Sequence, residues 1–409
     1  MKLLIVNDWG VFPKKGLLGG GAENRIKMLV DELLNSGAMN AIHVIHNEKY
    51  EQSSFSDKVF YHPCDSKKLF SSYHLANEVI EKYDINILQL HNALSLRPFS
   101  ILSAKKYRIP SIWVAHDFWL LCGMRSFINP YKTKNVSLCH KIEFLKCLKC
   151  IGWKSYLRLK YFRFVLNKAD CGIAPGQFVK QVFEKHKILN NKWKIVKPWI
   201  DTNFSSNKES LPRKDILFVG SLLEYKGAWV AVEALKYIVK EIPDIKLKIA
   251  GQNQDDIYAE EIKKIAKQEG VLNNLEFLGV MSKSQLDREY RESAVFVFPT
   301  VCQELFGLVW AEAMACGCPV VASDTGGVSE YVKNHGVLFQ PRDSKILAES
   351  IIKILKNSPS ADILNASKEY ILENFSVKKS AGEMLKIYEE FLRNTHHFSG
   401  DIKDSYARK

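Results

Sequence analysis

The chain has 409 residues, 46% hydrophobic and 25% charged, values that exclude a disordered or low-complexity protein and suggest two domains at about 150 residues each. No uncharged apolar run reaches the ~18 residues of a membrane span, and the apolar start Met1–Val6 stops at Asn7, too short for a signal peptide. The net charge of +13 is uneven: residues 1–210 carry 32 Lys and Arg against 17 Asp and Glu, residues 211–409 carry 26 against 28, and residues 97–197 alone carry 21 against 4. One half is a cation whose partner could be nucleic acid, an anionic membrane surface or an anionic substrate. Nine Cys without an export signal point to a reducing compartment, where paired disulfides are not expected.

Short β-rich runs recur at Lys2–Val6, Ala41–Ile45, Ile85–His91, Ser111–Ala115, Cys171–Ala174 and Trp193–Val196. Between them, Ala22–Asn35 places Ile26, Leu29, Val30, Leu33 and Leu34 on one helical stripe. Leu69–Tyr83, Leu96–Tyr107, Tyr156–Asn167 and Gln177–His186 read as further helices. The alternation restarts after the polar stretch Thr202–Arg213, with strands at Asp215–Val219, Lys246–Ala250, Leu275–Leu278, Ala294–Phe298 and Pro319–Ala322. Helices fall near Ala228–Val239, Ile257–Gln268, Lys283–Glu292 and Leu308–Ala315. Strand–helix repetition implies parallel sheets covered on both faces, so the chain reads as two doubly wound α/β domains. Their expected extents are 1–197 and 213–376, with a linker over 198–212, a helix over 377–393 that can pack back on the first domain, and a polar tail over 394–409.

Ligands of open parallel sheets bind beyond the carboxyl ends of the strands, so the loops there are the places to look. In the second domain a strand ends at Pro299, a loop carries Glu304, and Gly307 opens a helix holding Leu308 and Glu312. The free N–H groups of such a helix start can take an anion or a hydroxyl-rich ligand. Carboxylates accept hydrogen bonds from sugar hydroxyls, but the two Glu alone favour a plainer reading, a helix cap and a solvated side chain. The loop Gly220-Ser221-Leu222-Leu223-Glu224-Tyr225-Lys226-Gly227 follows the domain's first strand, and its glycines and lysine suit a phosphate. It is not a Walker A loop.

The ordered set Gly220…Lys226-Gly227, Ile249-Ala250-Gly251, Phe277-Leu278-Gly279, Glu304-x7-Glu312 and Gly326-Gly327 resembles the family 4 glycosyltransferases of the GT-B fold. Gly19-Gly20-Gly21-Ala22-Glu23 and Pro198-Trp199-Ile200-Asp201 also look like that family, and the resemblance covers nearly the whole chain. It implies two facing Rossmann-like domains with a cleft between them, the first for an acceptor and the second for a nucleotide-sugar, and a retaining sugar transfer. By similarity, Glu304 contacts the donor sugar, the backbone of Phe306, Gly307 and Leu308 meets sugar or phosphate, Glu312 holds the ribose and Lys226 the pyrophosphate. Gly20 and Gly21 bring amides near the donor phosphate or acceptor. The family usually has Arg where this chain has Ser221, so one cation of the pyrophosphate clamp is missing or comes from elsewhere. No Asp-x-Asp occurs, which argues for transfer without a metal on the pyrophosphate. A glycosidase dyad does not suit one Glu in a loop and another on the helix behind it.

His116-Asp117 follows the strand Ser111–Ala115, and by similarity His116 lies near the reacting sugar. Cys122, Cys139, Cys147 and Cys150 crowd the following segment. With Cys147-x2-Cys150 at metal-knuckle spacing, four thiolates would complete a structural zinc site; buried thiols are the plainer reading. Lys141, Lys146, Lys149, Lys154, Arg158, Lys160, Arg163 and Lys168 interleave with Phe144, Leu145, Trp153, Tyr156, Leu157, Tyr161 and Phe162. This is a basic, aromatic surface for an anionic bilayer, or core aromatics beside solvated lysines. The expectation is a glycosyltransferase at the inner face of the cell membrane, acting on a glycan or lipid-pyrophosphate-linked acceptor. No cofactor is needed for catalysis, and no nucleic acid partner is expected. The alternatives are a phosphorylase or nucleotide-sugar epimerase of the same fold, a sugar-binding protein without activity, and a basic nucleic-acid-binding protein.

Overall fold

The computed structural model describes residues 1–10, 21–53, 56–122, 128–129, 137–138, 144–201, 213–251 and 256–406. Contacts gather the chain into two units: Met1–Arg125, Ile142–Trp199 and Val377–Lys409 form unit 1, and Ser126–Lys141 and Ile200–Ser376 form unit 2. The bulk of the linker expected over 198–212 lies outside the described residues.

Unit 1 runs β1 (Lys2–Val6), α1 (Gly21–Asn35), β2 (Ala41–Asn47), β3 (Val59–Cys64), α2 (Ser71–Tyr83), β4 (Ile87–Leu90), α3 (Ser100–Lys106) and β5 (Ser111–Val114). A short antiparallel pair follows, β6 (Ile128–Asn129) with β7 (Ser137–Leu138), which groups with unit 2. Unit 1 resumes with α4 (Phe144–Leu166), β8 (Cys171–Ala174), α5 (Gln177–Lys185) and β9 (Trp193–Ile195). Its seven-stranded sheet has the order β3-β2-β1-β4-β5-β8-β9, parallel throughout. Leu3 and Ile5 of β1 and Ile42 and Val44 of β2 turn to one face, where they pack with Ile26, Leu29, Val30 and Leu33 of α1. This is the period-2 face of a strand meeting the 3.6-period stripe of a helix.

Unit 2 runs β10 (Ile216–Val219), α6 (Ala228–Glu241), β11 (Leu247–Ala250), α7 (Asp256–Gln268), β12 (Leu275–Gly279), α8 (Lys283–Glu292), β13 (Val295–Phe298) and α9 (Leu308–Ala315). It continues with β14 (Val320–Ser323), α10 (Val328–Val332), β15 (Val337–Phe339), α11 (Ser344–Lys356) and α12 (Ala361–Asn374). The six strands, again parallel, have the order β12-β11-β10-β13-β14-β15. Alternation divides them between two cores: Ile216 and Phe218 face the layer of α6, α7 and α11, while Leu217 and Val219 face the layer of α9, α10 and α12. In β10, β13 and β14 both faces are buried, which is why these strands read as continuous apolar runs. Ile200 pairs with Ser376, so the segments that open and close unit 2 lie side by side.

The last helix, α13 (Val377–Tyr406), belongs to unit 1, where Ala381, Met384, Ile387 and Tyr388 join the core of β1 and α1. It continues past Arg393, where polarity had suggested an end; polarity alone does not stop a helix, and no Pro interrupts this one. The edge strands β3 and β15 were not anticipated, and α4 begins at Phe144, not near Tyr156, with a break at Gly152 (φ 74°).

Each sheet has a point where its strand order reverses, between β1 and β4 in unit 1 and between β10 and β13 in unit 2. Loops at the carboxyl ends of those strands flank a crevice in folds of this kind.

Candidate active site

In unit 2 the loops after β10 and β13 are stapled together. Tyr225 O accepts from Val301 N at 2.9 Å and from Thr300 Oγ1 at 3.1 Å. Gly227, at φ 78°, ends the turn of 3₁₀ helix Glu224–Lys226, and a Cβ there would lie 1.8 Å from Pro299 O. Only glycine permits this approach. It brings Lys226 Nζ into an ion pair with Glu304 Oε1. Burial pulls the Lys226 pKa down, but the charge of Glu304 and the hydrogen bond to it outweigh that, and the ammonium is held above its ordinary value. Cys302 Sγ lies 3.6 Å from the same carboxylate oxygen and 3.3 Å from Thr300 Oγ1. Burial and the Glu304 charge push that thiol up, so it stays protonated.

The backbone behind Glu304 is clamped by Gly326 and Gly327. Gly327 N donates to Glu304 O at 2.8 Å, and a Cβ on Gly326 or Gly327 would meet Glu304 O at 2.3 Å or Leu305 O at 2.0 Å. These glycines hold the Glu304 loop. Gly307, at φ 77°, begins α9 with no side chain capping it. Phe306 puts its ring into the core against Trp310, Tyr331 and Phe375, and its carbonyl is taken by Trp310 Nε1 at 2.7 Å. Leu308 is the first residue of α9. Gly220 donates its N–H to Ala250 O at 3.0 Å, and Ser221 lies in the turn that follows, its carbonyl taking Leu223 N at 2.9 Å.

Glu312, one turn into α9, accepts from the buried Tyr290 hydroxyl at 3.1 Å. Burial raises its pKa to about 7, with Asp201 adding to the rise and the Tyr290 hydrogen bond and Lys283 opposing it. Asp201 is itself ion-paired with Lys283. Tyr290 and its role as partner of Glu312 were missed by sequence reasoning; a lone tyrosine inside the polar helix α8 is the one signal that could have found it. A cavity of about 210 Å³ lined by Arg213, Asp215, Ile245 and Pro319 opens at the amino ends of β10, β13 and β14, the opposite end of the sheet.

In unit 1 the loop after β1 is tied to the loop after β4 by Asp8, whose carboxylate accepts from Ser95 N and Leu96 N at 2.8 Å each. His116 follows β5. Its Nδ1 lies 2.9 Å from Arg25 Nη2 and its Nε2 lies 2.7 Å from His91 Nδ1, with the two imidazoles stacked at 5.0 Å. A guanidinium can only donate, so His116 accepts at Nδ1 and carries its proton on Nε2. It then donates to His91 Nδ1, and His91 carries its proton on Nε2, which is buried with no partner. Burial, with the Arg25 charge second, lowers the His91 pKa to about 3 and that of His116 well below its usual value. Burial also lowers Arg25 to about 10 against the pull of Glu23. Arg25 and His91 were not singled out from the sequence; polar Gln89 in the otherwise apolar β4, with His91 directly after it, was the available signal.

Gly21 is the first residue of α1, while Gly20 lies outside the described residues. Cys139 also lies outside them, and among the described residues no group of three or more His, Cys, Asp or Glu is placed to hold a metal ion; Cys122, Cys147 and Cys150 are partly exposed. Two of the residues expected on a basic, aromatic surface are structural instead: Phe162 is buried, and Arg163 donates to Leu120 O at 2.6 Å and Leu121 O at 3.2 Å. Their helix positions point inward, which an unphased count of charges and rings does not reveal.

A family model described as Glycosyltransferase Family 4 matches residues 19–204, and one described as Glycosyl transferases group 1 matches residues 200–369. An uncharacterized glycosyltransferase of Methanocaldococcus jannaschii is 22% identical over 398 residues, 95% of this chain and 98% of that protein. A phosphatidyl-myo-inositol mannosyltransferase of Mycobacterium leprae is 28% identical over 179 residues, 43% of this chain and 46% of that protein. Among solved structures, a sucrose-phosphate synthase of Thermosynechococcus elongatus matches with a TM-score of 0.72 at 17% identity, covering 96% of this chain and 99% of that one. The Anabaena protein HepE, solved with UDP and glucose, matches with a TM-score of 0.70 at 18% identity, covering 95% and 99%. The two family models together take in residues 19–369, the fold match covers 96% of this chain, and this protein belongs to the family 4 glycosyltransferases of the GT-B fold.

Proposed function

We propose that this glycosyltransferase moves a sugar from a nucleotide-sugar to a glycan or lipid-linked acceptor, with retention of anomeric configuration. The observation that carries the reading is the convergence of Lys226, Glu304 and the uncapped start of α9 at the switch point of unit 2. A diphosphate there takes the ammonium of Lys226 and the amides around Gly307 and Leu308, which neutralise the charge that grows as the glycosyl bond breaks. Glu304, released from Lys226, turns to the hydroxyls of the donor sugar, and Glu312 accepts from those of the ribose. The acceptor hydroxyl adds to the anomeric carbon on the face that the phosphate leaves. Its proton passes to the departing phosphate oxygen, and the nucleoside diphosphate is released. No protein base is required, in keeping with a neutral His116 whose two nitrogens are both engaged. His116 positions the sugar or acceptor.

The fold shared with a protein solved with UDP and glucose, and a relative named as a phosphatidyl-myo-inositol mannosyltransferase, support this donor and acceptor chemistry. The acceptor is taken at an anionic membrane surface, consistent with the basic excess over 97–197; no described helix is long and apolar enough to cross a membrane. Transfer needs no metal on the pyrophosphate, because the chain has no Asp-x-Asp to hold one. The test is a thermal-shift panel of UDP-, GDP-, ADP- and TDP-sugars, then NMR of the product formed from the best donor, with and without EDTA. One donor should raise the melting temperature and give a product of unchanged anomeric configuration at an EDTA-insensitive rate. An inverted product, or nucleotide release that needs no acceptor, overturns the reading; the latter would favour a phosphorylase or epimerase.

A further inference from the structure

We infer that the outer face of α4 is a docking surface for an anionic lipid bilayer; the inference rests on the proposed function and names where the chain meets the membrane that carries its acceptor. Past the break at Gly152, α4 has two apolar faces. Leu159, Phe162, Val165 and Leu166 are 0–5% exposed and pack into unit 1. Trp153, Leu157, Tyr161 and Phe164 are 62%, 54%, 47% and 60% exposed. At about 100° per residue the second set falls within an arc of about 80° on the side away from the first. A helix of a water-soluble surface carries polar residues there.

The charge around this stripe is of one sign. Residues 144–166 hold six Lys and Arg and no Asp or Glu, within the segment 97–197 that carries 21 basic residues against 4 acidic. The ammonium groups lie against the rings: Lys154 Nζ is 5.7 Å from the Trp153 ring, Lys160 Nζ is 5.2 Å from that of Tyr156, and Lys168 Nζ is 4.9 Å from that of Phe164. An apolar ridge with cations on and beside it matches the boundary of acyl chains and anionic headgroups, where the rings enter and the lysines remain at headgroup depth. Charge complementarity therefore selects an anionic bilayer over a second copy of this chain, whose α4 would repel this one.

The test is flotation of the full chain with vesicles of phosphatidylcholine alone or mixed with phosphatidylglycerol, beside light scattering. The protein should float with the mixed vesicles at low salt and at least tenfold less at high salt. The triple variant Trp153→Ser, Leu157→Ser, Phe164→Ser and the charge-reversed pair Lys154→Glu, Lys160→Glu should each bind at least tenfold more weakly, with unchanged melting temperature and nucleotide-sugar response. Wild-type protein that does not float, variants that float like wild type, or a dimer that the triple variant splits with no change in flotation would overturn the inference. Flotation needs neither donor nor acceptor, so a chain that floats but transfers no sugar sinks the proposed reaction and leaves the docking surface standing.

Discussion

Arg25 donates from its guanidinium to Nδ1 of His116 at 2.9 Å, joining the first turns of α1 to the end of β5 across 91 positions of sequence. This contact fixes the proton of His116 on Nε2 and, through it, the tautomer of His91. It also adds a positive charge that, after burial, keeps both imidazoles neutral.

Replacing Arg25 by Met is therefore expected to free the His116 ring and raise its pKa, because a nearby cation no longer opposes the imidazolium. Turnover should fall about tenfold or more, the worth of a lost charge-assisted hydrogen bond, with little change in donor KM. The kcat–pH profile should gain an acid limb that wild type lacks above pH 5. Nitrogen-15 NMR of labelled histidine reads the tautomer directly. A variant with wild-type turnover, profile and tautomer would remove Arg25 from the mechanism.

The pairing of Lys226 with Glu304 predicts that the two residues fail in different ways. If Glu304 meets the reacting sugar as proposed, Glu304→Ala should lower kcat by about 10³ or more, since such a group acts on the chemical step. Lys226→Met should raise donor KM as well if the ammonium takes the diphosphate as proposed. Both variants should stay folded, with about 1 kcal/mol of stability lost, because the pair is partly open to solvent, at 26% and 16% side-chain exposure. Near-wild-type turnover in Glu304→Ala would exclude that carboxylate.

The repeated strand–helix rhythm was legible because both faces of each sheet are covered, which turns the strands into apolar runs. α8 starts where expected because Ser282 and Gln285 form a capping box there, and α9 lies where expected because Gly307 and Gly317 bracket it. Two of the four edge strands were not: β3 contains Pro63 and exposes Phe60, and β15 has three residues with Val337 exposed. Within the site, Glu304, Lys226 and Glu312 stand at motif positions. The partners of Glu312 and His116 do not, since Tyr290 meets Glu312 across 22 residues and Arg25 meets His116 only through the fold. Burial decides which charges pair, and a linear sequence does not record it.

Through the ribose contact proposed for it, Glu312 would tie donor binding to pH. Its pKa of about 7, raised first by burial, means that it gains its full charge only above neutrality. In the proposed contact the carboxylate accepts from the ribose hydroxyls, whereas in the protonated form one oxygen becomes a donor. Donor KM should therefore rise as pH falls from 8 to 6. Tyr290→Phe removes a hydrogen bond that favours the charged form, so the same limb should move to higher pH. Glu312→Gln should flatten it. A donor KM independent of pH in wild type would place the ribose elsewhere. For stability the sign is opposite: a carboxyl whose folded pKa lies above its unfolded value stabilises the fold at low pH, and that contribution is lost as pH rises between about 4.5 and 7.

Gly327 offers the cleanest test of how the Glu304 loop is held. Its backbone, at φ −75° and ψ −10°, suits any residue, so Gly327→Ala introduces no backbone strain. The added Cβ would nonetheless lie 2.0 Å from Leu305 O and must push the loop away. Stability should fall by about 1–3 kcal/mol, the usual cost of overpacking, and kcat should fall with it as Glu304 shifts. Gly336→Ala is the control, because its Cβ would meet Val320 O at 2.8 Å, a contact that does not involve Glu304. It should cost comparable stability and leave kcat near wild type. Equal losses of turnover in the two variants, measured well below their melting temperatures, would mean that unit 2 responds to packing as a whole and that Gly327 does not specifically place the carboxylate.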